Sequence, residues 1–532
     1  MTEQPARVAV ALCDDLEGSN GHLDLDAVCR SLERSLPAVR ARVVPGLCRR
    51  PERTPELASR SRAERLVFGL CAGGASRHEF QTWVRRAGLD PFALEVVGLP
   101  AQGAAPRDTR QMTLLLAAAV ARARAFAGSE PEHLRPRLLA LEETLSRRSL
   151  LTLPSFTYEA VPGVDPPSCL GARQCGLCVQ ACPAEAMRSQ GGRIVVDKDR
   201  CKACGLCVVA CPVDAIRFPG SSLPQYEAEV STLLGAERPA LLFTCRQAAA
   251  TLVAGADGDG GWFPGWLPIE VPCLGMVTPG WVLQALAGGA QAVGLCSCGQ
   301  GCRFCTESLF EDRAAFVRAL LHLLGDESAS ERVRVVPAER EERSRAPGSP
   351  PPFGEPRGAA GARRIVLGEP AATVEAILAL GERVGGVEEL SLADAASPLG
   401  LVRLREETCT TCGSCADVCP TGALALEESG EEVVLSYDPT RCVPCRRCVS
   451  ACPEAAEETL RVEAVIDLAS LGRGRATLKR ETLARCRNCG RPIAPRRMLG
   501  RLRELLGKEP GAEPLLEILS ELCADCRVRG TS

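Results

Sequence analysis

Residues 409–420 read CTTCGSCADVCP, and residues 442–453 read CVPCRRCVSACP. Both stretches have the spacing C-x2-C-x2-C-x3-C followed by proline. The same spacing recurs at 201–212, which read CKACGLCVVACP. A fourth copy spans 169–183 and is stretched, because five residues separate its first two cysteines. The chain therefore contains one small cysteine-rich module twice, and each module has two motifs.

The spacing of these motifs has a physical reason. Two-residue gaps let a tight loop point three thiolates at three irons of one cubane, while the fourth cysteine lies after the loop and reaches a different cluster. Zinc binding and disulfide bonds are the alternatives. Four copies with proline in register favour [4Fe–4S] clusters over both.

The motifs resemble those of bacterial two-cluster ferredoxins, and the resemblance implies four [4Fe–4S] clusters, numbered I to IV here. In the first module, it assigns cluster I to Cys169, Cys175, Cys178 and Cys211, and cluster II to Cys182, Cys201, Cys204 and Cys207. In the second module, it assigns cluster III to Cys409, Cys412, Cys415 and Cys452, and cluster IV to Cys419, Cys442, Cys445 and Cys448. The stretched spacing after Cys169 departs from the family pattern.

Composition restricts the class of protein. The 532 residues carry a net charge of −3 and include 30 cysteines. A charge near zero, with arginine spread along the whole chain, does not favour nucleic-acid binding. The N-terminus does not resemble a signal peptide, and no run of about 20 apolar residues is present. We therefore expect a cytoplasmic protein without an integral membrane segment, in which clustered cysteines bind metal rather than form disulfides.

The pattern of apolar segments predicts a multidomain chain of α/β and α+β class, with two α/β domains, two ferredoxin-like dicluster modules and a small helical tail. The expected parts are an α/β domain at 1–150, a dicluster module at 155–222, an α/β domain at 225–326, a flexible linker at 327–363, a short α/β lead-in with the second dicluster module at 364–460, and a helical tail at 461–532.

The α/β domain at 225–326 has six cysteines at predicted strand ends. The segment VPCLGMVTPGWVLQALAGGAQAVGLCSCGQGCRFC resembles the delta subunit of methyl viologen-reducing hydrogenase. The resemblance implies a [2Fe–2S] cluster and a domain that passes electrons to a heterodisulfide reductase. The cysteines that match best are Cys245, Cys273, Cys298 and Cys302, with Cys305 as an alternative to Cys302 and Cys296 as an extra cysteine. Inert buried cysteines are the other interpretation.

The N-terminal domain includes the stretches RVAVALCDD and LVFGLCAGGASRHEFQTWVRRAGLDPFALEVVGLP. They resemble the N-terminal domain of the heterodisulfide reductase A subunit over residues 6–125. The resemblance implies a fifth [4Fe–4S] cluster on Cys13, Cys48 and Cys71, with Cys29 or Asp15 as a further ligand. Asp15 stands where that family usually has a second cysteine, and a domain with free thiols is the alternative. No G-x-G-x-x-G follows a strand, so no flavin or nicotinamide site is predicted.

The tail contains two C-x-x-C pairs, formed by Cys486 with Cys489 and by Cys523 with Cys526. Two such knuckles around one tetrahedral ion are typical of structural zinc sites. The sequence therefore predicts zinc, with an iron–sulfur centre second and a disulfide third.

These features favour a non-catalytic electron-transfer subunit of an oxidoreductase complex of the heterodisulfide reductase or hydrogenase type. Its expected partner is a hydrogenase, a formate dehydrogenase or a flavin-containing heterodisulfide reductase-like subunit. An enzyme that reduces a disulfide-like substrate at one of its own clusters is the alternative, although the adjacent cysteine pairs of the catalytic heterodisulfide reductase subunit are absent. A nucleic-acid-binding regulator is the third hypothesis, and the near-neutral charge argues against it.

Overall fold

The structure is a computed structural model of the chain. It describes residues 4–16, 23–71, 77–99, 109–138, 156–236, 239–249, 265–298, 302, 304, 307–337, 365–382, 390–454, 456–509 and 511–529. The chain forms two compact units: Met1–Cys169 with Leu177–Gly385, and Leu170–Gly176 with Gly386–Ser532. Each unit is described by itself. Among the described residues, no helix is both long and apolar enough to cross a membrane.

The first unit begins with a four-stranded parallel sheet in the order β2-β1-β3-β4. Every residue of its VAVALC strand is buried, because helices cover both faces of a parallel sheet. The elements are β1 (Val8–Cys13), α1 (Leu25–Ser35), β2 (Val39–Val44), α2 (Thr54–Ser61), β3 (Arg65–Cys71), α3 (Arg77–Arg86), β4 (Leu94–Leu99) and α4 (Thr109–Arg124).

The first cysteine-rich module follows and is built from three short antiparallel strand pairs, β5–β6, β8–β9 and β7–β10. The β7–β10 pair joins the start of the module to its end. The elements are β5 (Leu134–Leu138), β6 (Phe156–Ala160), β7 (Gly163–Val164), α5 (Gly171–Gln174), α6 (Leu177–Gln180), β8 (Met187–Gln190), β9 (Arg193–Val196), α7 (Leu206–Val209) and β10 (Ile216–Arg217). Of these, α5 belongs to the second unit.

A second parallel sheet, in the order β12-β11-β13-β14, forms the middle domain of the first unit. All nine residues of helix α9 are buried. The elements are α8 (Leu223–Leu233), β11 (Ala240–Cys245), β12 (Trp266–Val271), α9 (Pro279–Ala287), β13 (Ala292–Ser297), α10 (Glu307–Leu323), α11 (Ala329–Arg332), β14 (Val333–Pro337) and α12 (Pro370–Glu382).

Two parts of the middle domain differ from the sequence prediction. The expected linker at 327–363 starts with structure, because VRVVP forms β14 and completes the sheet beside β13; residues 338–363 lie outside the described part of the chain. The expected lead-in at 364–460 also begins in the first unit. Residues 365–369, at the start of this segment, form no strand. They pack on α9 instead, where the Gln284 side chain exchanges two hydrogen bonds with the backbone of Val366, at 2.9 and 3.0 Å.

A buried ion-pair network joins α4 of the N-terminal domain to α8. The Arg122 guanidinium lies 3.2 Å from a carboxylate oxygen of Glu95 and 2.5 Å from one of Glu229. It also donates to the carbonyl of Gly220 and stacks over the Tyr226 ring. Since the Arg122 side chain is only 7% exposed, its charge depends on these partners.

The second unit consists of two antiparallel sheets, β15-β19-β16 and β17-β18-β20-β21, followed by helices. The tail was expected to be helical from residue 461, but β19 and the ten-residue β20 come first. The elements are β15 (Ser391–Ala393), β16 (Gly400–Leu404), α13 (Ser414–Asp417), β17 (Leu424–Ser429), β18 (Glu432–Tyr437), α14 (Arg447–Ser450), α15 (Ala456–Thr459), β19 (Leu460–Asp467), α16 (Leu468–Arg473), β20 (Ala476–Arg485), β21 (Pro492–Pro495), α17 (Arg496–Leu506), α18 (Glu513–Glu521) and α19 (Ala524–Arg529).

Candidate cluster and metal sites

The cysteine loops turn through left-handed backbone conformations between their ligands. Ala203 and Gly205 have φ of 52° and 79° in the first module, and Thr411 and Gly413 have φ of 54° and 85° at the corresponding positions of the second. Such alternation curls the chain into a concave loop that aims several side chains and amide groups inward. At the second of these positions, glycine stands in both loops, because it adopts a positive φ without strain.

Backbone amides of these loops donate to cysteine sulfurs. The Ala203 N–H donates to Cys201 Sγ and the Thr411 N–H donates to Cys409 Sγ, each over 3.4 Å. At the ends of two motifs, Cys182 and Cys211 accept N–H groups over 3.2 Å from the residue four positions later. Hydrogen bonds of this kind stabilise thiolates and are one determinant of cluster reduction potentials.

The cysteines assigned to cluster III line one cavity of the second unit. Burial is the main cause that raises the pKa of Cys415 to about 12. The charges of nearby cysteines, including Cys452, also contribute to this increase. Because Cys452 comes from the other motif, the structure brings together the crossed set that the resemblance implied. The cavity is lined by Cys409, Cys412, Cys415 and Cys452, with Leu404, Leu435 and Leu460 among its apolar walls.

The cysteines assigned to cluster IV also converge. Burial, followed by the neighbouring charges of Cys442, Cys445 and Cys419, raises the pKa of Cys448 to about 12. Cys419 belongs to the motif of cluster III, so the exchange of the fourth cysteine is reciprocal. Four thiolates this close repel one another, and a bound cationic cluster would relieve that repulsion.

In the first module, the structure groups the cysteines assigned to cluster II. Burial holds the pKa of Cys207 well above its ordinary value, and the charges of Cys204, Cys201, Cys178 and Cys182 add to the effect. Cys182 again comes from the partner motif. For cluster I, the combination of Cys169, Cys175, Cys178 and Cys211 stays a prediction from the resemblance to two-cluster ferredoxins.

The carboxyl edge of the middle sheet gathers the four best-matching cysteines of that domain. Cys245 ends β11, Cys273 follows β12, and Cys298 follows β13. Burial raises the pKa of Cys298, and the adjacent thiols of Cys245 and Cys302 raise it further. Burial is the main cause that raises the pKa of Cys245, and the charge of the nearby Cys273 raises it further. Cys296 is buried within β13, and Cys305 lies outside the described residues.

The middle sheet edge lies against the cluster II loop of the first module. Burial is the main cause that raises the pKa of Cys204 to about 11, and the charge of Cys273 also contributes to the increase. A Cβ atom built on Gly205 would lie 2.3 Å from Met276 Sδ, so a side chain at this position would require Met276 to move. Cysteines from two domains of the first unit are therefore neighbours.

Among the described residues, two further groups bring all their ligand atoms within 4.8 Å of one another. One combines Cys13, Asp15, Cys48 and Cys71 of the N-terminal domain, and the other combines Cys486, Cys489, Cys523 and Cys526 of the tail. Cys29, the other candidate in the N-terminal domain, is not in the first group: it is buried on α1, and burial raises its pKa to about 11. The structure thus selects Asp15 over Cys29 as the fourth residue.

In the tail group, the sulfurs of Cys489 and Cys523 are 3.6 Å apart. Backbone N–H groups, first that of Cys523, stabilise the thiolate of Cys486 and lower its pKa to about 6. Hydrogen bonds with the Cys489 and Cys523 side chains instead raise the pKa of Cys526 to about 12. None of the cysteines that the structure describes forms a disulfide bond. The backbone N–H of Arg491 likewise lowers the pKa of Cys489, so hydrogen bonds favour the thiolate form at two of the four cysteines.

The sequence did not predict a role for two buried side chains beside the second module, those of Lys479 and Tyr437. The Lys479 ammonium, with its side chain only 6% exposed, donates to the carbonyls of Glu406 and Cys409 over 2.7 and 2.5 Å. The Tyr437 hydroxyl donates to the Gly400 carbonyl over 2.7 Å and interacts with Cys442, while burial raises the pKa of this phenol. The sequence signal for Lys479 is its inward position in the alternating pattern of β20.

The first module has an equivalent cation. Arg135 on β5 donates to the Cys201 carbonyl over 2.9 Å and also to the carbonyl of Lys198. Its guanidinium is 2.6 Å from the Glu159 carboxylate, and its side chain is only 8% exposed. In each module, a buried cation therefore donates to the backbone carbonyl of a cysteine predicted to bind a cluster.

Three family models match parts of the chain. The model described as a 4Fe-4S dicluster domain matches residues 408–456, which contain all eight cysteines of the second module. The model described as a 4Fe-4S binding domain matches residues 194–217, and that of the methyl-viologen-reducing hydrogenase delta subunit matches residues 240–349. A comparison with curated proteins finds no match.

These matches confirm the resemblance to ferredoxins and to the hydrogenase delta subunit. They support an iron–sulfur protein with a role in electron transfer. The resemblance of the N-terminal domain to the heterodisulfide reductase A subunit stays a prediction.

Proposed function

We propose that the chain is the electron-transfer subunit of a redox complex of the heterodisulfide reductase or hydrogenase type. It would hold four [4Fe–4S] clusters and one [2Fe–2S] cluster, which supply one-electron storage and transfer. The observation that carries this proposal is the reciprocal exchange of Cys419 and Cys452 between the two motifs of the second module.

The residues fit these groups. Cluster III would occupy the cavity lined by its four cysteines, whose walls include Leu404, Leu435 and Leu460. Loop amides that donate to sulfur, such as those of Ala203 and Thr411, favour the thiolate form that binds iron. The middle domain would hold the binuclear cluster on Cys245, Cys273, Cys298 and Cys302.

The contact between the first module and the middle domain supports a direct route for electrons. Cys204 is assigned to cluster II and Cys273 to the binuclear cluster, and the two are electrostatic neighbours. Gly205 packs closely against the buried Met276 at this junction. The chain would thus connect its own middle domain to a ferredoxin cluster without a separate carrier.

For the tail, we propose a structural zinc ion on Cys486, Cys489, Cys523 and Cys526. With Zn–S bonds of about 2.3 Å, a tetrahedral site separates its sulfurs by about 3.8 Å. The 3.6 Å separation of Cys489 and Cys523 agrees with that size. Such an ion would link the β20–β21 turn to α18 and α19.

The proposed partners are a hydrogenase, a formate dehydrogenase or a flavin-containing subunit, in a reducing cytoplasm. The support is the matched delta-subunit domain, together with the absence of a membrane-spanning helix among the described residues.

Counting electrons tests the proposed function. Full-length protein, prepared without oxygen, is reduced by controlled-potential coulometry while its electron paramagnetic resonance spectrum is recorded. We expect about five electrons per chain, one for each proposed cluster, with full reversibility. Uptake below one electron per chain would refute the relay. Continuous current in the presence of a disulfide substrate alone would instead support the enzymatic alternative.

A further inference from the structure

The compact group in the N-terminal domain lies at the carboxyl edge of the first parallel sheet. Cys13 ends β1, Cys71 ends β3, and Cys48 lies in the turn that follows β2. Asp15 follows Cys13 by two residues. Because β2, β1 and β3 are adjacent, the topology itself brings the three cysteines to one point.

The two loops that carry these residues are tied together. The Asp14 carboxylate accepts the Gly46 N–H over 2.7 Å, which links the turn after β1 to the turn after β2. Beyond that link, the Cys48 N–H donates to Cys13 Sγ over 3.5 Å, and Cys48 Sγ lies 3.5 Å from Asp15 Oδ2. The ligand atoms are therefore held by backbone geometry rather than by flexible side chains.

The group has the size of a site for one ion. A tetrahedral ion with bonds of about 2.3 Å to sulfur and 2.0 Å to oxygen keeps its ligand atoms within roughly 4 Å of one another. A cubane attaches each ligand to a different iron and must spread them more widely. All four ligand atoms here lie within 4.8 Å, as they do in the tail group.

The chemistry of the fourth ligand points the same way. Cysteine thiolates and aspartate carboxylates are both ordinary zinc ligands. Three thiolates and one carboxylate carry four negative charges, which a divalent ion would halve. The Arg49 guanidinium lies 3.2 Å from Asp15 Oδ2 and partly offsets one of the remaining negative charges.

We propose that Cys13, Asp15, Cys48 and Cys71 bind a single zinc ion rather than a fifth [4Fe–4S] cluster. The residues fit a cubane poorly, because Asp15 replaces a cysteine and the site is too compact. The ion would fix the carboxyl edge of the sheet, and the N-terminal domain would not carry electrons. This proposal does not depend on the electron-relay function of the other domains.

The test compares metal and sulfide contents of the full-length protein purified without oxygen. We expect Cys48→Ala to lose about one zinc per chain relative to the wild-type protein, while iron and acid-labile sulfide stay unchanged. Loss of about four iron and four sulfide would establish a cubane and overturn the proposal. No change in any of the three would also overturn it, by showing that these thiols bind no metal.

Cys29→Ala is the matched control. Cys29 is a buried cysteine of the same domain outside the compact group, so its removal should leave zinc, iron and sulfide unchanged. Zinc loss in this variant as well would show that domain destabilisation, not loss of a ligand, releases the ion.

A second measurement needs no change to the N-terminal site and covers the case in which Cys48→Ala does not fold. In a Cys489→Ala, Cys523→Ala protein, the tail can no longer hold its ion. Zinc-edge X-ray absorption should then report about one zinc per chain with three sulfur ligands and one oxygen ligand. The absence of zinc, or four sulfur ligands, would overturn the assignment.

Discussion

Lys479 offers the sharpest test of how the protein tunes a cluster. Its ammonium is buried and donates to the carbonyl of Cys409, a proposed ligand of cluster III. A positive charge at this point favours the reduced, more negative state of the cluster. We expect Lys479→Gln, which keeps a hydrogen-bond donor but loses the charge, to lower the reduction potential of cluster III.

The expected magnitude follows from Coulomb's law. Bond lengths from the Cys409 carbonyl through its sulfur place the ammonium roughly 8 Å from the centre of the cluster. At an effective dielectric constant near 20, the interaction amounts to about 2 kcal/mol. That energy corresponds to about 90 mV for one electron. An effective dielectric constant of about 35 would reduce the same interaction to about 50 mV. We therefore expect a decrease of roughly 50–90 mV.

The assay is a redox titration followed by electron paramagnetic resonance, with iron counted first to show that the cluster is retained. Arg480→Gln is the matched control, since Arg480 neighbours Lys479 on β20 with the same charge but has a side chain that is 61% exposed. Solvent screens that charge, so its removal should shift the potential by less than about 15 mV. An unchanged or raised potential in Lys479→Gln would refute the assignment of Lys479 to cluster III.

Three further predictions concern stability and metal binding. Gly205→Ala should destabilise the first unit by about 1–3 kcal/mol more than Gly191→Ala in thermal unfolding, because both have positive φ but only Gly205 faces Met276; equal losses would contradict the close packing. Arg122→Met should cost about 3–5 kcal/mol of unfolding free energy, since it removes the cation that pairs with the buried Glu229 carboxylate; a change below 1 kcal/mol would argue against that network. Cys523→Ala should remove about one zinc and speed proteolysis of the tail, with iron unchanged; retained zinc would exclude the tail site.

The cysteine positions could be predicted from the sequence because cluster binding fixes their spacing locally. Three of the four loops have the same gaps, which define the same local geometry wherever they occur, and the proposed exchange of Cys419 and Cys452 follows from that geometry. The N-terminal and middle sheets were also predictable. Each has short, fully apolar strands such as β1 and β11, alternating with helices, which is typical of parallel sheets.

The differences arise where partners are distant in sequence. The strand β14 is only five residues long and follows charged residues, so only its pairing with β13 reveals it. Helix α12 is apolar on most of its surface, but the sequence does not show that it packs in the first unit. In β20, the charged Lys479 occupies a buried position beside the buried Leu483, so the alternation of the strand is visible only once the lysine is recognised as facing inward.

The fourth residue of the N-terminal group could not be chosen from the sequence. Cys29 and Asp15 are both near Cys13 in the chain, and a cysteine is the more common ligand. The helix that carries Cys29 directs it elsewhere, whereas the turn after β1 places Asp15 beside Cys48. Tertiary placement, rather than residue type, decides this site.

The most direct test of the whole account is the content of iron and acid-labile sulfide in protein isolated under argon. Four cubanes and one binuclear cluster require about 18 atoms of each per chain, with the brown colour of iron–sulfur proteins. We predict those values for the intact chain. A colourless preparation with fewer than about two irons, in which the ferredoxin cysteines are joined as disulfides or hold only zinc, would contradict the central claim.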